Sequence, residues 1–148
     1  MKRALFYICV CCLCLNVWAQ NLWKPLPEFE GVWQRCLPQK QDGNVSLKYV
    51  KYFKVFTANQ QFSVISMDDN DRVYVVVGGY YGATSDSTYQ EIIQTGRVLE
   101  QNSTMKGKES VLKFHFNEDK TLMICSYTMP NGHTDTELWK RVTALPKE

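Results

Sequence analysis

From Gly31 onward the chain alternates short apolar runs with clusters of turn-forming residues. No stretch sustains the i, i+3, i+4, i+7 spacing of an amphipathic helix. Runs rich in Val, Ile, Tyr, Phe and Thr predict eight strands: Gly31–Leu37, Lys48–Thr57, Gln61–Met67, Arg72–Gly78, Ser87–Arg97, Ser110–Asn117, Thr121–Met129 and His133–Val142. Asn131-Gly132 predicts a tight hairpin, because both residues tolerate the positive φ of a type I′ turn. Glu118-Asp119 and Asp68-Asp69-Asn70-Asp71 predict further turns through side-chain to backbone hydrogen bonds. The longer connections, Pro38 to Leu47, Gly79 to Asp86 and Val98 to Glu109, are polar or Gly-rich and are where binding loops are expected.

Sequential antiparallel strands leave two unpaired edges unless the first and last strands meet. Closure therefore predicts an all-β fold, an eight-stranded up-and-down antiparallel barrel whose interior is filled by side chains or holds one small ligand. A two-sheet sandwich is the alternative. Alternation assigns Leu112, Phe114 and Phe116 to the lumen and Val111, Lys113 and His115 to the outside. By the same parity Phe62 and Val64 point inward, and Tyr74 and Val76 separate from Val73 and Val75. Along Lys48–Phe56 both parities contain Lys, so either a bulge interrupts the strand or Lys51 or Lys54 points inward. The bulge is the expectation.

Before the strands, Lys2-Arg3 precedes an apolar run from Ala4 to Leu15, and Val17 and Ala19 stand at positions −3 and −1 before Gln20. This predicts a cleaved signal peptide over residues 1–19 and a mature domain over 20–148, secreted or periplasmic. The run is shorter than the roughly 20 residues that span a bilayer, so no membrane span is expected. A lipid-anchored form is disfavoured, because none of Cys9, Cys11, Cys12 and Cys14 follows the small residue of a lipoprotein cleavage site. Loss of Lys2 and Arg3 brings the 17 basic residues level with the 15 acidic, a formal charge of zero, which argues against a nucleic-acid partner. Only Cys36 and Cys125 remain in the mature chain. With the last strand between them they would lie roughly 9.6 Å apart, beyond disulfide reach, so no disulfide is expected.

Gly31-Val32-Trp33 at the start of the first strand resembles the G-x-W signature of lipocalins, and Arg141, following Trp139 in the last strand, is similar to their closing Arg. The resemblance extends to a family of small secreted bacterial lipocalin-like (calycin) domains of unknown function, through Tyr89-Gln90-Glu91 and Trp139-Lys140-Arg141-Val142. It implies that Gly31, Trp33 and Arg141 close the barrel floor, the guanidinium over the indole face. The short stretch after Val142 leaves no room for the helix that follows the barrel in typical lipocalins, and their middle motif has no convincing copy. Transport of their ligands is therefore not implied.

Gly78-Gly79-Tyr80-Tyr81-Gly82, followed by Ser85 to Glu91, combines backbone freedom with aromatic rings. Tyr81, Tyr89 and Glu91 are the expected barrel mouth. Together with Phe62, Tyr74, Phe114 and Phe116 they form the expected ligand-binding set. No catalytic residue is assigned: His115 and His133 lack a nucleophile in a recognisable context. His133, Asp135 and Glu137 share one strand face too openly for a zinc site and are expected on a hydrated exterior, so neither metal nor cofactor is implied. The sequons Asn44-Val45-Ser46 and Asn102-Ser103-Thr104 are accidental if the bacterial resemblance holds.

Three functional readings remain open. The first is a monomeric binding protein holding a small hydrophobic or amphipathic ligand in the barrel. The second is a filled barrel that contacts a protein or glycan through its surface loops. The third is a hydrolase or isomerase using Glu91 or a His as base.

Overall fold

A computed structural model describes residues 23–98, 103–129 and 131–143. The expected signal segment and Asn102 of the second sequon lie outside the described residues. A short 3-10 helix, Pro27–Phe29, leads into β1 (Gly31–Gln41), β2 (Asn44–Phe56), β3 (Gln61–Met67), β4 (Val73–Ala83), β5 (Thr88–Val98), β6 (Ser103–Thr104), β7 (Glu109–Phe116), β8 (Leu122–Thr128) and β9 (Thr134–Arg141). The spatial order is β4-β3-β2-β1-β9-β8-β7-β5, and β4 pairs again with β5, so eight antiparallel strands close a barrel. β6 is a two-residue addition on the end of β5. Closure runs through β1 and β9, from Trp33 opposite Arg141 to Cys36 opposite Leu138. This is the expected up-and-down barrel, and the sandwich is ruled out. No helix among the described residues is long and apolar enough to cross a membrane.

Two connections prove to be strand. β1 and β2 continue as a hairpin around Asp42-Gly43, both at positive φ, through the stretch expected to be a polar loop. Pro38 is tolerated there because β1 beyond Cys36 has only β2 as a neighbour, so its missing N–H faces no second strand. β4 likewise runs on to Ala83, through most of the Gly-rich segment.

The ring is more nearly complete at one end. At the end where β1 begins, each strand has two partners, except that β7 runs on past Lys113 and Thr88 with β8 alone. At the other, β7 leaves β8 above Lys113 and Ser126, β9 leaves β1 above Leu138 and Cys36, and β4 leaves β5 above Val77 and Gly96. The open end is therefore a crown of separate hairpins.

The complete end is plugged from within. Phe29, fully buried, sits among Phe56, Tyr81, Tyr89, Phe114 and Phe116 at ring-centroid distances of 5.1, 6.0, 4.8, 4.9 and 5.5 Å, mostly edge to face. Trp33 Nε1 donates to the Phe29 carbonyl at 2.7 Å. The Arg141 guanidinium lies 4.2 Å from the Trp33 ring centre and donates to the carbonyls of Glu28, Glu30 and Lys120. Gly31 has φ +123°, and a side chain there would meet Arg141 Nη1 at 3.2 Å, which accounts physically for Gly at this position. Arg141→Ala is expected to destabilise the protein by about 2–3 kcal/mol, from the cation–π contact and the charge-assisted hydrogen bonds together. Arg141→Lys should recover less than half of that in urea titration, because an ammonium lacks the planar fork.

Candidate functional site

The residues expected at the mouth lie at the plugged end. Tyr81 and Tyr89 are fully buried around Phe29, and Glu91 is buried one layer higher. Strands β1 to β5 alternate in direction, so the β2–β3 and β4–β5 turns share the end where β1 begins, and the β4–β5 turn cannot border the opening. The Tyr81 hydroxyl donates to the Thr57 carbonyl at 3.0 Å, and burial pushes its pKa up to about 12. The glycine at 82 serves the chain itself: a Cβ there would come within 2.3 Å of Trp23 Cβ, so its absence lets the N-terminal segment lie across β4.

Above the plug lies a buried ionic layer. Lys54 Nζ donates to Glu91 Oε1 at 2.8 Å, and the Tyr89 hydroxyl donates to the same oxygen at 3.0 Å. Cys125 Sγ is 3.8 Å from that hydroxyl, and the Lys54 ammonium lies 5.2 Å from the Trp139 ring centre. Both sequence alternatives for this strand hold. A bulge shifts the β1–β2 register between Gln34 and Cys36, and Lys54 still points inward. Lys51 points out to Asp71. Burial alone would lower the Lys54 pKa, but Glu91, and then Glu137, more than offset it and hold the ammonium above its ordinary value. Burial likewise raises the Cys125 thiol to about 12 and the Tyr89 phenol well above 10.0. No buried side-chain nitrogen or oxygen among the described residues lacks a partner. The layer is thus a self-satisfied network.

A second polar layer floors the open end. Arg35 Nη1 donates to Glu137 Oε1 at 2.5 Å, Trp139 Nε1 donates to Glu137 Oε2 at 3.1 Å, and Tyr52 packs on Trp139 with ring centres 6.2 Å apart. The Tyr127 hydroxyl donates to Asp135 Oδ2 at 3.1 Å. Asp135 and Glu137 therefore share the inner face with Trp139, which corrects the expected hydrated exterior for this strand, while His133 stays exposed at the turn. Burial raises the Tyr52 pKa, with Glu137 adding to the effect. Above this floor opens a bowl of about 460 Å³ lined by Arg35, Leu37, Val50, Lys51, Tyr52, Ser66 and Met67. The Arg35 side chain retains 24% exposure against 5% for Lys54, while Glu137 and Glu91 are alike at 12% and 11%, so the upper pair is reached from solvent through its guanidinium.

The structure disperses the expected ligand-binding set. Phe62, Phe114 and Phe116 point inward but pack into the core around Phe29 and Phe56. Tyr74 stands at the rim, half exposed, with its hydroxyl donating to Asp68 at 3.1 Å, and does not reach the core. Its strand is bulged between Val64 and Ile65 of the partner, so Val77 rather than Val76 lies opposite Val64. The two thiols are buried and free, with β9 between them: Cys125 pairs with Glu137 on the inner face, and Cys36 with Leu138 on the outer. Sequence reasoning missed Arg35, Tyr52, Ser66 and Glu137. A usable signal was present, since Arg35 follows Trp33 and Glu137 precedes Trp139 by one strand repeat and so share their inward face.

Residues 28–148 match the family described as Domain of unknown function (DUF4488). The chain belongs to this family. Its barrel matches the crystal structure of an uncharacterized protein from Bacteroides eggerthii at a TM-score of 0.52 and 18% identity, covering 77% of this chain and 99% of that one. A lipocalin-like protein from Bacteroides uniformis, 17% identical, matches over 78% of this chain and 99% of its own at a TM-score of 0.49. No curated protein matches. The DUF4488 chain is thus an eight-stranded up-and-down barrel of a family without an assigned function, plugged at one end and open at the other.

Proposed function

We propose that this DUF4488 protein, carried out of the cytoplasm by residues 1–19 and matured at Gln20, binds a small amphipathic ligand at the open end of its barrel. The observation that carries the reading is the contrast between the two ends. The lower barrel is packed by aromatic rings around Phe29, with a recess of about 380 Å³ left between the N-terminal segment and Phe114 and Phe116, whereas the upper barrel offers a bowl with an ion pair on its floor and Leu37, Val50 and Met67 on its walls. A polar group would settle against Arg35 and Glu137, and an apolar portion over the aliphatic wall and Tyr52. Because the floor charges are matched, the ligand need carry no net charge. A binding role fits better than a catalytic one, since Glu91, the base candidate of the sequence, is engaged by Lys54 and Tyr89 inside the packed core.

Native mass spectrometry of residues 20–148, incubated with a lipid and metabolite extract of its source, tests this. A discrete added mass is expected. Ser66→Trp should abolish it by filling the bowl, and Val32→Lys, at an exposed position away from the bowl, should leave it unchanged. Absence of any adduct, or its persistence in Ser66→Trp, would sink the reading.

A further inference from the structure

Neither the plug nor the bowl uses the Gly78-Gly79-Tyr80 stretch of β4. Phe62 and Val64 are buried in the core on either side of Ser63, so Ser63 and its partner Gly78 face outward, and Thr95 of β5 flanks Gly78 on the other side. A Cβ at Gly78 would meet Thr95 Oγ1 at 3.0 Å and Ser63 Oγ at 3.7 Å, so the missing side chain leaves a groove between two hydroxyls. At Gly79 the main chain runs so close to β5 that a Cβ would lie 2.0 Å from the Ile92 carbonyl oxygen, and the register slips there past the exposed Gln94. Beside the groove Tyr80, 45% exposed, stands opposite Gln61. The groove encloses about 200 Å³.

We propose that this groove is a second binding site, which takes one ring of a neutral saccharide. Every polar group in its lining is uncharged, in a chain of which 22% of the residues are charged, so an ionised ligand would find no counter-charge there. The side chains of Gln61, Ser63, Tyr80, Gln94 and Thr95 form no hydrogen bond with one another or with any other described residue. A wholly apolar ligand would shut these groups off from water without replacing its hydrogen bonds. Amides and hydroxyls both donate and accept, which matches a ring whose own hydroxyls do both. The phenol of Tyr80 adds a flat apolar face for the C–H side of such a ring and a polar tip beside it. The groove is small against the roughly 300–1,000 Å³ pockets that enclose drug-sized ligands, so it holds a single ring, with a Kd on the order of millimolar. It opens on the outer wall and the bowl inside the barrel, so the two sites stand or fall separately.

Titration of the isotope-labelled mature chain with methyl glucoside, methyl galactoside, methyl mannoside and N-acetylglucosamine, followed by amide NMR shifts, provides the test. At least one sugar is expected to shift the Gly78, Gly79 and Thr95 amides saturably. Tyr80→Ala, at an exposed position whose spectrum reports that the fold is kept, should weaken that complex about five-fold or more. Tyr49→Ala, at an exposed Tyr outside the groove, should leave it unchanged. Glucuronate, a sugar ring bearing a carboxylate, should bind no more tightly than the neutral sugars. No saturable shift with any of the four, a tighter complex with glucuronate, or binding that survives Tyr80→Ala or is lost in Tyr49→Ala overturns the proposal.

Discussion

Phe29→Ala is expected to cost about 3–5 kcal/mol. Phe29 is held by no strand. It enters the lumen from the 3-10 helix and fills the space among five aromatic rings, so its removal leaves a void that the fixed strands around it cannot collapse to fill. It also frees the segment that Trp33 and Arg141 fasten across the floor. Against a total stability of roughly 5–15 kcal/mol, the variant would sit close to unfolding at room temperature. Urea titration followed by tryptophan fluorescence measures the loss directly. Leu26→Ala, at a partly buried position beside the plug, should cost only about 1 kcal/mol. A Phe29→Ala loss as small as that would show the plug to be peripheral and the barrel self-supporting.

Breaking the buried ion pair is expected to cost nearly as much. Glu91→Leu leaves the buried Lys54 ammonium without its hydrogen-bonded carboxylate, with only the more distant charge of Glu137, and Lys54→Met strands the carboxylate. Each should lose about 3–5 kcal/mol. Joint replacement by Met and Leu should recover most of the loss, because the aromatic and aliphatic surroundings accept apolar groups of similar volume. Recovery in the double variant separates a stranded charge from simple mispacking; failure to recover would refute the electrostatic account.

The same layer predicts a pH dependence. The Cys125 thiol, the Tyr89 phenol and the Lys54 ammonium all have folded pKa values raised above their ordinary 9.0, 10.0 and 10.5, so the folded chain keeps protons that the unfolded chain gives up. Their contribution is complete below pH 9 and is lost as pH climbs toward the folded thiol's value of about 12. Urea midpoints should therefore be flat near neutrality and fall steadily above pH 9. Cys125→Ala should make the fall between pH 9 and 10 shallower without abolishing it, because burial also raises the Cys36 thiol above its ordinary 9.0. A midpoint that rose with alkalinity would reverse the sign and exclude these groups as the cause.

The fold was largely legible because strand periodicity and turn chemistry are local. Alternation in Ser110–Asn117 gives the inward set Leu112, Phe114 and Phe116, and Asn131-Gly132 marks the hairpin between β8 and β9. The boundaries of β1, β2 and β4 were less legible. Polar residues such as Gln39, Lys40 and Ser46 are acceptable in a hairpin exposed on both faces, so hydrophobic pattern stops where burial stops rather than where the strand stops. The candidate site was least legible, because which end of the barrel is open depends on where the segment before Gly31 goes. Nothing in Pro27-Glu28-Phe29 announces that its ring is the floor of the core.

The meeting of Trp33 with Arg141 was implied by the resemblance to lipocalins. The sequence by itself determined the all-β class, the closed up-and-down order and the inward faces of β3 and β7. Each follows from a two-residue repeat and from short connections, which leave few ways to bury one face. Only the tertiary structure decided that Phe29 plugs the lumen, that Tyr81, Tyr89 and Glu91 belong to the closed end, and that Lys54 lies inside. It also decided that Arg35 and Glu137 floor the opening. Those outcomes depend on long-range contacts and on bulges, and a bulge changes which way the residues beyond it face without leaving a mark in the local pattern.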